Sequence, residues 1–243
     1  MKGGRFHLFH LPKREEPTAA RLEHLLNYAH QKNPKVLSNG HGFEVLAYLE
    51  FPRNWGLGSS STFINNLASW FEIDPYDLLE QSFGGSGYDI ACAQYNYPIL
   101  YKREGDKRTV VPAAFNPEFK DEIFLIHQNK KQDSRQAIAH FRKQSPQRIA
   151  SAIEEVDQIT REMIACDDLK EFELLVHAHE TVMSGILNLP TIKSERFPDY
   201  PGAIKSLGAW GGDFMLVTGF PELMQYFVDK GYRTILPYED LIL

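Results

Sequence analysis

The sequence predicts a mixed protein of strands and helices, and three stretches carry that reading. The first sets an extended apolar segment, Phe43 to Phe51, ahead of a small-residue loop and then a segment whose Phe63, Leu67, Trp70 and Phe71 recur at helical spacing. In the second, Pro98 to Tyr101 and Arg108 to Ala114 read as strands flanking the charged turn Glu104-Gly105-Asp106-Lys107, a hairpin. The third closes the chain as strand, turn, strand, helix, strand: Ala203 to Leu207, Phe214 to Thr218, Pro221 to Lys230 and Tyr232 to Leu236.

The rest follows in order. Arg5 to Leu11 alternates as a weak strand, and Ala20, Leu22, Leu25, Leu26 and Ala29 give Pro17 to Gln31 an apolar helical face. Asp74 and Pro75 make an N-cap and first helical residue, predicting a helix to about Glu80. Glu122 to His127 is an apolar strand, followed by the polar run Gln128 to Arg135, a solvated loop or a cationic grip for an anion. Ser145-Pro146 opens a helix striped by Ile149, Ile153, Val156, Ile159 and Met163. Asp168 and Glu171 have capping-box spacing ahead of another, carrying Phe172, Leu175, Val176, Val182 and Ile186. A boundary near Pro117 divides the chain into 1–118 and 119–243.

Composition excludes several classes. With 243 residues, 43% hydrophobic and 24% charged, the chain can bury a sizeable core. A net charge of −6 argues against nucleic acid as the main partner. No apolar run approaches membrane-spanning length, and Met1 to Pro12 lacks the apolar core of a signal peptide, so no membrane partner is expected. Cys92 and Cys166 form neither a disulfide framework nor a metal motif, and the cytoplasm is the default compartment. His7, His10, His24, His30 and His41 lack ligand spacing beside a carboxylate. His177 and His179, two apart on a helix, face different sides and cannot jointly hold an ion; they read as structural or substrate-adjacent.

Two stretches carry candidate chemistry. Gly56-Leu57-Gly58-Ser59-Ser60-Ser61 delivers glycines and hydroxyls to a helix N-terminus, where orphan N–H groups and the macrodipole favour an anion. It reads as a phosphate loop or as a serine-rich cap, and it lacks both the Gly-Lys-Ser/Thr of Walker-type loops and the third glycine of the dinucleotide fingerprint. Gly84-Gly85-Ser86-Gly87-Tyr88-Asp89 brings one carboxylate, Asp89, into a small, apolar context, as a helix cap or as a base for a hydroxyl proton. A third glycine-rich turn, Gly208 to Asp213, is free to lie close to another backbone or a ligand.

In this order and spacing the three turns resemble the GHMP kinases, the family of galactokinase, homoserine kinase, mevalonate kinase and phosphomevalonate kinase. Pro52 to Ser61 is similar to the family's Pro-x-x-x-Gly-Leu-Gly-Ser-Ser-Ala motif, which wraps the ATP phosphates. Lys205 to Gly212 is similar to Lys-x-x-Gly-Ala-Gly-Gly-Gly, with Trp210 in place of a glycine, where it narrows the site or stacks on a ligand. Gly84 to Ala91 resembles the catalytic segment of the mevalonate kinase branch, especially a bacterial subgroup marked by Gly-Tyr-Asp-Ile-Ala.

The resemblance implies a two-domain α+β fold, an ATP-binding domain over 1–118 and a ferredoxin-like α/β domain over 119–243. It implies ATP- and magnesium-dependent phosphoryl transfer to a small mevalonate-like or phosphomevalonate-like molecule. Asp89 would be the catalytic base. Gly56, Leu57, Gly58, Ser59, Ser60, Ser61, Gly208, Ala209, Gly211 and Gly212 would hold the nucleotide, and Ser60 and Glu80 the metal. The family's first motif, a lysine or arginine with Gly-Glu-Tyr/His, has no match before Pro52, so the resemblance runs from about Glu44 onward and the first domain is expected to be incomplete. An incomplete sheet exposes an edge and apolar surface, which predicts low stability or self-association as a homodimer. The alternatives are a nucleotide-binding homologue without catalysis and a diphosphomevalonate decarboxylase-like enzyme.

Overall fold

A computed structural model describes residues 16–38, 43–82, 84–130, 141–208, 210 and 212–242. The expected strand at Arg5 to Leu11, His7, His10, His41, Lys131 to Arg135, Ala209 and Gly211 lie outside the described residues. The chain divides into two compact units, Met1–Glu50 with Leu57–Pro112, and Phe51–Gly56 with Ala113–Leu243.

In the first unit, α1 (Glu16–Lys32), α2 (Ser59–Phe71), α3 (Pro75–Glu80) and α4 (Tyr88–Cys92) accompany an antiparallel hairpin of β1 (Ile99–Glu104) and β2 (Lys107–Pro112). The apolar faces read from periodicity meet in one cluster, with Leu25 and Ala29 of α1 and Leu67 and Phe71 of α2 buried and Phe63 and Trp70 packed against them; Ile64 of α2, Leu78 of α3 and Ile90 of α4, which no periodicity marked, complete it. Asp74 caps α3 as expected, its side chain accepting from Tyr76 N at 2.8 Å.

The segment 43–50 departs from expectation. It forms neither strand nor helix, because a strand exists only through a partner's ladder and no described residue supplies one. Val45, Leu46 and Tyr48 are left 61%, 77% and 92% exposed.

The second unit is built on an antiparallel sheet in the order β4 (Ile204–Ser206), β5 (Phe214–Thr218), β3 (Ile123–His127), β6 (Ile235–Pro237). Register pairs Leu125 with Leu216 and with Leu236. All five β3 residues are buried, as the uninterrupted apolar run Ile123-Phe124-Leu125-Ile126 requires of a strand covered on both faces. Ile123 and Ala203 face Phe172 and Val176 on one side, while Phe124, Ile126, Met215 and Val217 face Ile192, Phe197 and Phe227 on the other.

The flanking helices are α5 (Pro146–Ala165), α6 (Leu169–Leu187), α7 (Ile192–Arg196), α8 (Gln225–Asp229) and α9 (Tyr238–Leu241). Three begin at side-chain caps: Ser145 accepts from Arg148 N, Asp168 from Glu171 N and Thr191 from Ser194 N. Ser145 and Asp168 are local signals legible in the sequence; the Thr191 cap emerges only in the structure.

Candidate functional site

The phosphate-loop stretch is shared between the units, the chain passing from the second to the first after Gly56. In the first unit, Gly58 is the N-cap of α2 in the left-handed conformation at φ 75°, and no side chain caps the helix. Ser59, Ser60 and Ser61 form its first turn, whose N–H groups have no partner within the helix; the first intrahelical bond runs from Thr62 N to Gly58 O at 2.9 Å. The three serine hydroxyls make no hydrogen bond to another described residue, so these serines are not caps. The turn offers amides, hydroxyls and a helix dipole to an anion.

Asp89 is the second residue of α4, exposed, and its carboxylate makes no hydrogen bond or ion pair with another described residue. The turn before it is rigidly held. Tyr101 Oη donates to Ser86 O at 2.5 Å and Arg103 Nη1 to Gly85 O at 2.7 Å. Gly87, at φ 85°, is pressed against the Tyr76 ring, 2.9 Å from where a Cβ would lie. The loop thus positions Asp89 while leaving its oxygens unengaged. Glu80, the expected metal ligand, instead accepts from Arg108 Nη2 at 3.3 Å, and the Arg108 guanidinium stacks 4.4 Å from the Tyr76 ring centre. Among the described residues no three His, Cys, Asp or Glu side chains cluster as a metal site. Ser60 and Glu80 carry oxygens, the donor type that magnesium takes.

In the second unit, Gly56, at φ 71°, lies against the Asp213 carboxylate, and Gly208, at φ 66°, approaches the same side chain. Buried Gln128 wires this turn to the sheet: its Nε2 donates to Gly212 O at 3.1 Å and Phe214 O at 3.4 Å, and Arg196 Nη1 donates to its Oε1 at 2.9 Å. The sequence placed Gln128 at the head of a solvated run; its amide is structural. Trp55 adds an edge contact to Phe214, with ring centres 5.6 Å apart.

Trp210 is corrected from a ligand-stacking role. It is 8% exposed and packs with Ile186 and Leu187 at the end of α6, anchoring the turn from behind. The two histidines separate: His177 is exposed, while His179 Nδ1 lies 3.5 Å from Oε1 of Glu180. Glu180 is 2% exposed and neither of its oxygens accepts a hydrogen bond. Lys205, from the third glycine-rich motif, is half-buried; desolvation lowers its pKa from the ordinary lysine value while the Glu180 charge opposes the shift. No sequence pattern signals that these two charges lie near one another, since they are 25 residues apart on a helix and a strand.

Among solved structures the fold is similar to that of a Lin0012 protein from Listeria innocua, with a TM-score of 0.61 and 15% identity over 97% of this chain and 78% of that one. It is also similar to L. major mevalonate kinase in complex with R-mevalonate, with a TM-score of 0.55 and 16% identity over 93% of this chain and 78% of that one. The chain therefore shares a mixed α+β fold with these two structures. Coverage of 97% must take in most of α1, which precedes the first matching motif, so the likeness in fold reaches further toward the N-terminus than the motifs do. No family model and no curated protein matches the sequence. No helix among the described residues is long and apolar enough to cross a membrane.

Proposed function

We propose that the protein is an ATP-dependent small-molecule kinase of the GHMP type, transferring the γ-phosphoryl group to a mevalonate-like or phosphomevalonate-like alcohol or phosphate. The observation that carries this reading is the first turn of α2: a left-handed glycine entry, three serines with unengaged hydroxyls and no side-chain cap. A helix end this well supplied with donors and lacking its own acceptor is suited to phosphate. The solved mevalonate kinase with R-mevalonate, which shares the fold, supports the choice of acceptor class.

Phosphoryl transfer depends mainly on positioning and charge neutralisation. The amides and hydroxyls of Ser59 to Ser61 bind and orient the nucleotide phosphates. Asp89 accepts the acceptor hydroxyl proton, or holds that hydroxyl in line. Ser60 and Glu80 are the residues that would hold magnesium, which when bound neutralises phosphate charge. Glu80 must then exchange its bond to Arg108.

That bond favours a second reading, nucleotide binding without catalysis, in which Glu80 stays with Arg108. One assay separates the two. The protein is incubated with ATP, magnesium and a panel of mevalonate, phosphomevalonate and sugars; acceptor-dependent ADP supports the kinase, whereas saturable ATP binding with unchanged nucleotide supports the second reading. Carbon dioxide release alongside ADP would instead mark decarboxylase-like chemistry.

A further inference from the structure

A cleft of about 390 Å³ opens in the second unit between α6 and the segment 191–204. It lies by the start of β4, whereas the glycine-rich turn follows that strand's end. Its floor is a built surface. Gly202 packs so tightly on Thr218 that a Cβ would lie 2.1 Å from the Thr218 carbonyl oxygen, and Lys193 Nζ donates to Gly202 O at 2.6 Å. Thr218 Oγ1 in turn donates to Glu173 Oε1 at 2.5 Å.

Into this cleft faces Glu180, almost wholly buried, with neither oxygen accepting a hydrogen bond. A buried carboxylate is costly unless donors meet it. Its neighbours do not meet that need: His179 Nδ1, at 3.5 Å, makes no hydrogen bond to it, and Lys205 Nζ donates to Ser206 O at 3.3 Å. Glu173 and Glu180, seven residues apart, share one face of α6 and give the cleft acid at two depths. The cations in the wall are otherwise disposed, Lys193 being bonded to Gly202 and Lys170 and His177 being exposed. Leu174, Val176, Ala203 and Ile204 supply apolar wall, and the volume suits a small metabolite.

We propose that this cleft is a second binding site, for a small molecule carrying a primary ammonium group on a short apolar chain. The ammonium donates to Glu180, a charge-assisted bond that a neutral hydroxyl matches only weakly, and the chain lies along Leu174 and Ile204. The probe is n-butylammonium, followed by saturation-transfer NMR on the full chain, with n-butanol and butyrate as matched controls. Saturable butylammonium binding is expected, with neither control competing. Glu180→Gln should weaken it at least tenfold. Should that variant fail to fold by circular dichroism, Leu174→Arg decides, because Leu174 is 71% exposed and its replacement blocks the mouth without opening the core. Loss of binding in Leu174→Arg supports the site. Absence of saturable binding, equal binding of butyrate, or unchanged affinity in Leu174→Arg overturns it.

Discussion

The carboxylate of Asp213 occupies the space a side chain on Gly56 would need: a Cβ there would lie 2.5 Å from Asp213 Cγ. The glycine of the loop and the acid of the third turn are therefore fitted to one another. Gly56→Ala meets both this clash and the left-handed φ of 71°, and should destabilise the protein by about 1–3 kcal/mol. Urea unfolding measures it. A change below about 0.5 kcal/mol would show that the loop yields at no cost.

Gln128 ties Gly212, Phe214 and Arg196 together through a single amide. Gln128→Leu keeps the volume but strips partners from buried polar groups, so a loss of about 1–3 kcal/mol for each group left unpaired is expected. ATP affinity should fall with it, by titration calorimetry, because Gly212 is no longer held. Wild-type affinity in a folded Gln128→Leu protein would remove the turn from the nucleotide site.

Asp89 is exposed and its carboxylate has no partner among the described residues, so its loss should cost activity and not stability. Asp89→Ala should lower kcat by ~10²–10⁴-fold, the usual contribution of a positioned base, with the melting temperature unchanged. A rate within a few-fold of wild type would reassign the base.

Trp210→Gly restores the residue that the third motif usually carries. Because Trp210 is packed against Ile186 and Leu187, the result should be a loss of about 3–5 kcal/mol, and not a wider site. Thermal unfolding with and without nucleotide distinguishes the two.

Tyr226 carries a pH signature. Burial, and then the hydrogen bond its hydroxyl donates to Asp199 at 2.6 Å, push its pKa from 10.0 up to about 12. The unfolded chain loses this proton first, so the contribution to stability is fully present below pH 10 and is lost as pH rises through 12. Tyr226→Phe should flatten the decline in melting temperature over that window. An identical pH profile in the variant would assign the decline elsewhere.

These contrasts show what the sequence could reveal. The caps at Asp74, Ser145 and Asp168 and the hairpin depend on residues close in sequence and are legible there, whereas the stripe on α5 is core only in part, Ile159 being buried and Ile153 52% exposed. The expected strand from Phe43 depended on a partner, which no local pattern supplies. Trp210 and Gln128 were misplaced for the same reason: one is buried by the end of α6, the other by a carbonyl 84 residues away. The serines of α2 fit caps or phosphate ligands equally well in sequence, and only the cap geometry removes the first of these.

Cys92 and Cys166 are the chain's two thiols, and they differ sharply in access: Cys166 is buried and donates to Asp168 O at 3.1 Å, whereas Cys92 is exposed on α4. Cys92 stands three residues after Asp89, one helical turn away. The native protein thus carries a built-in handle for a maleimide fluorophore beside the candidate base, without engineered substitutions. Burial raises the Cys92 pKa, so labelling calls for mildly alkaline buffer, and a fluorescence change on adding acceptor would report occupancy in real time.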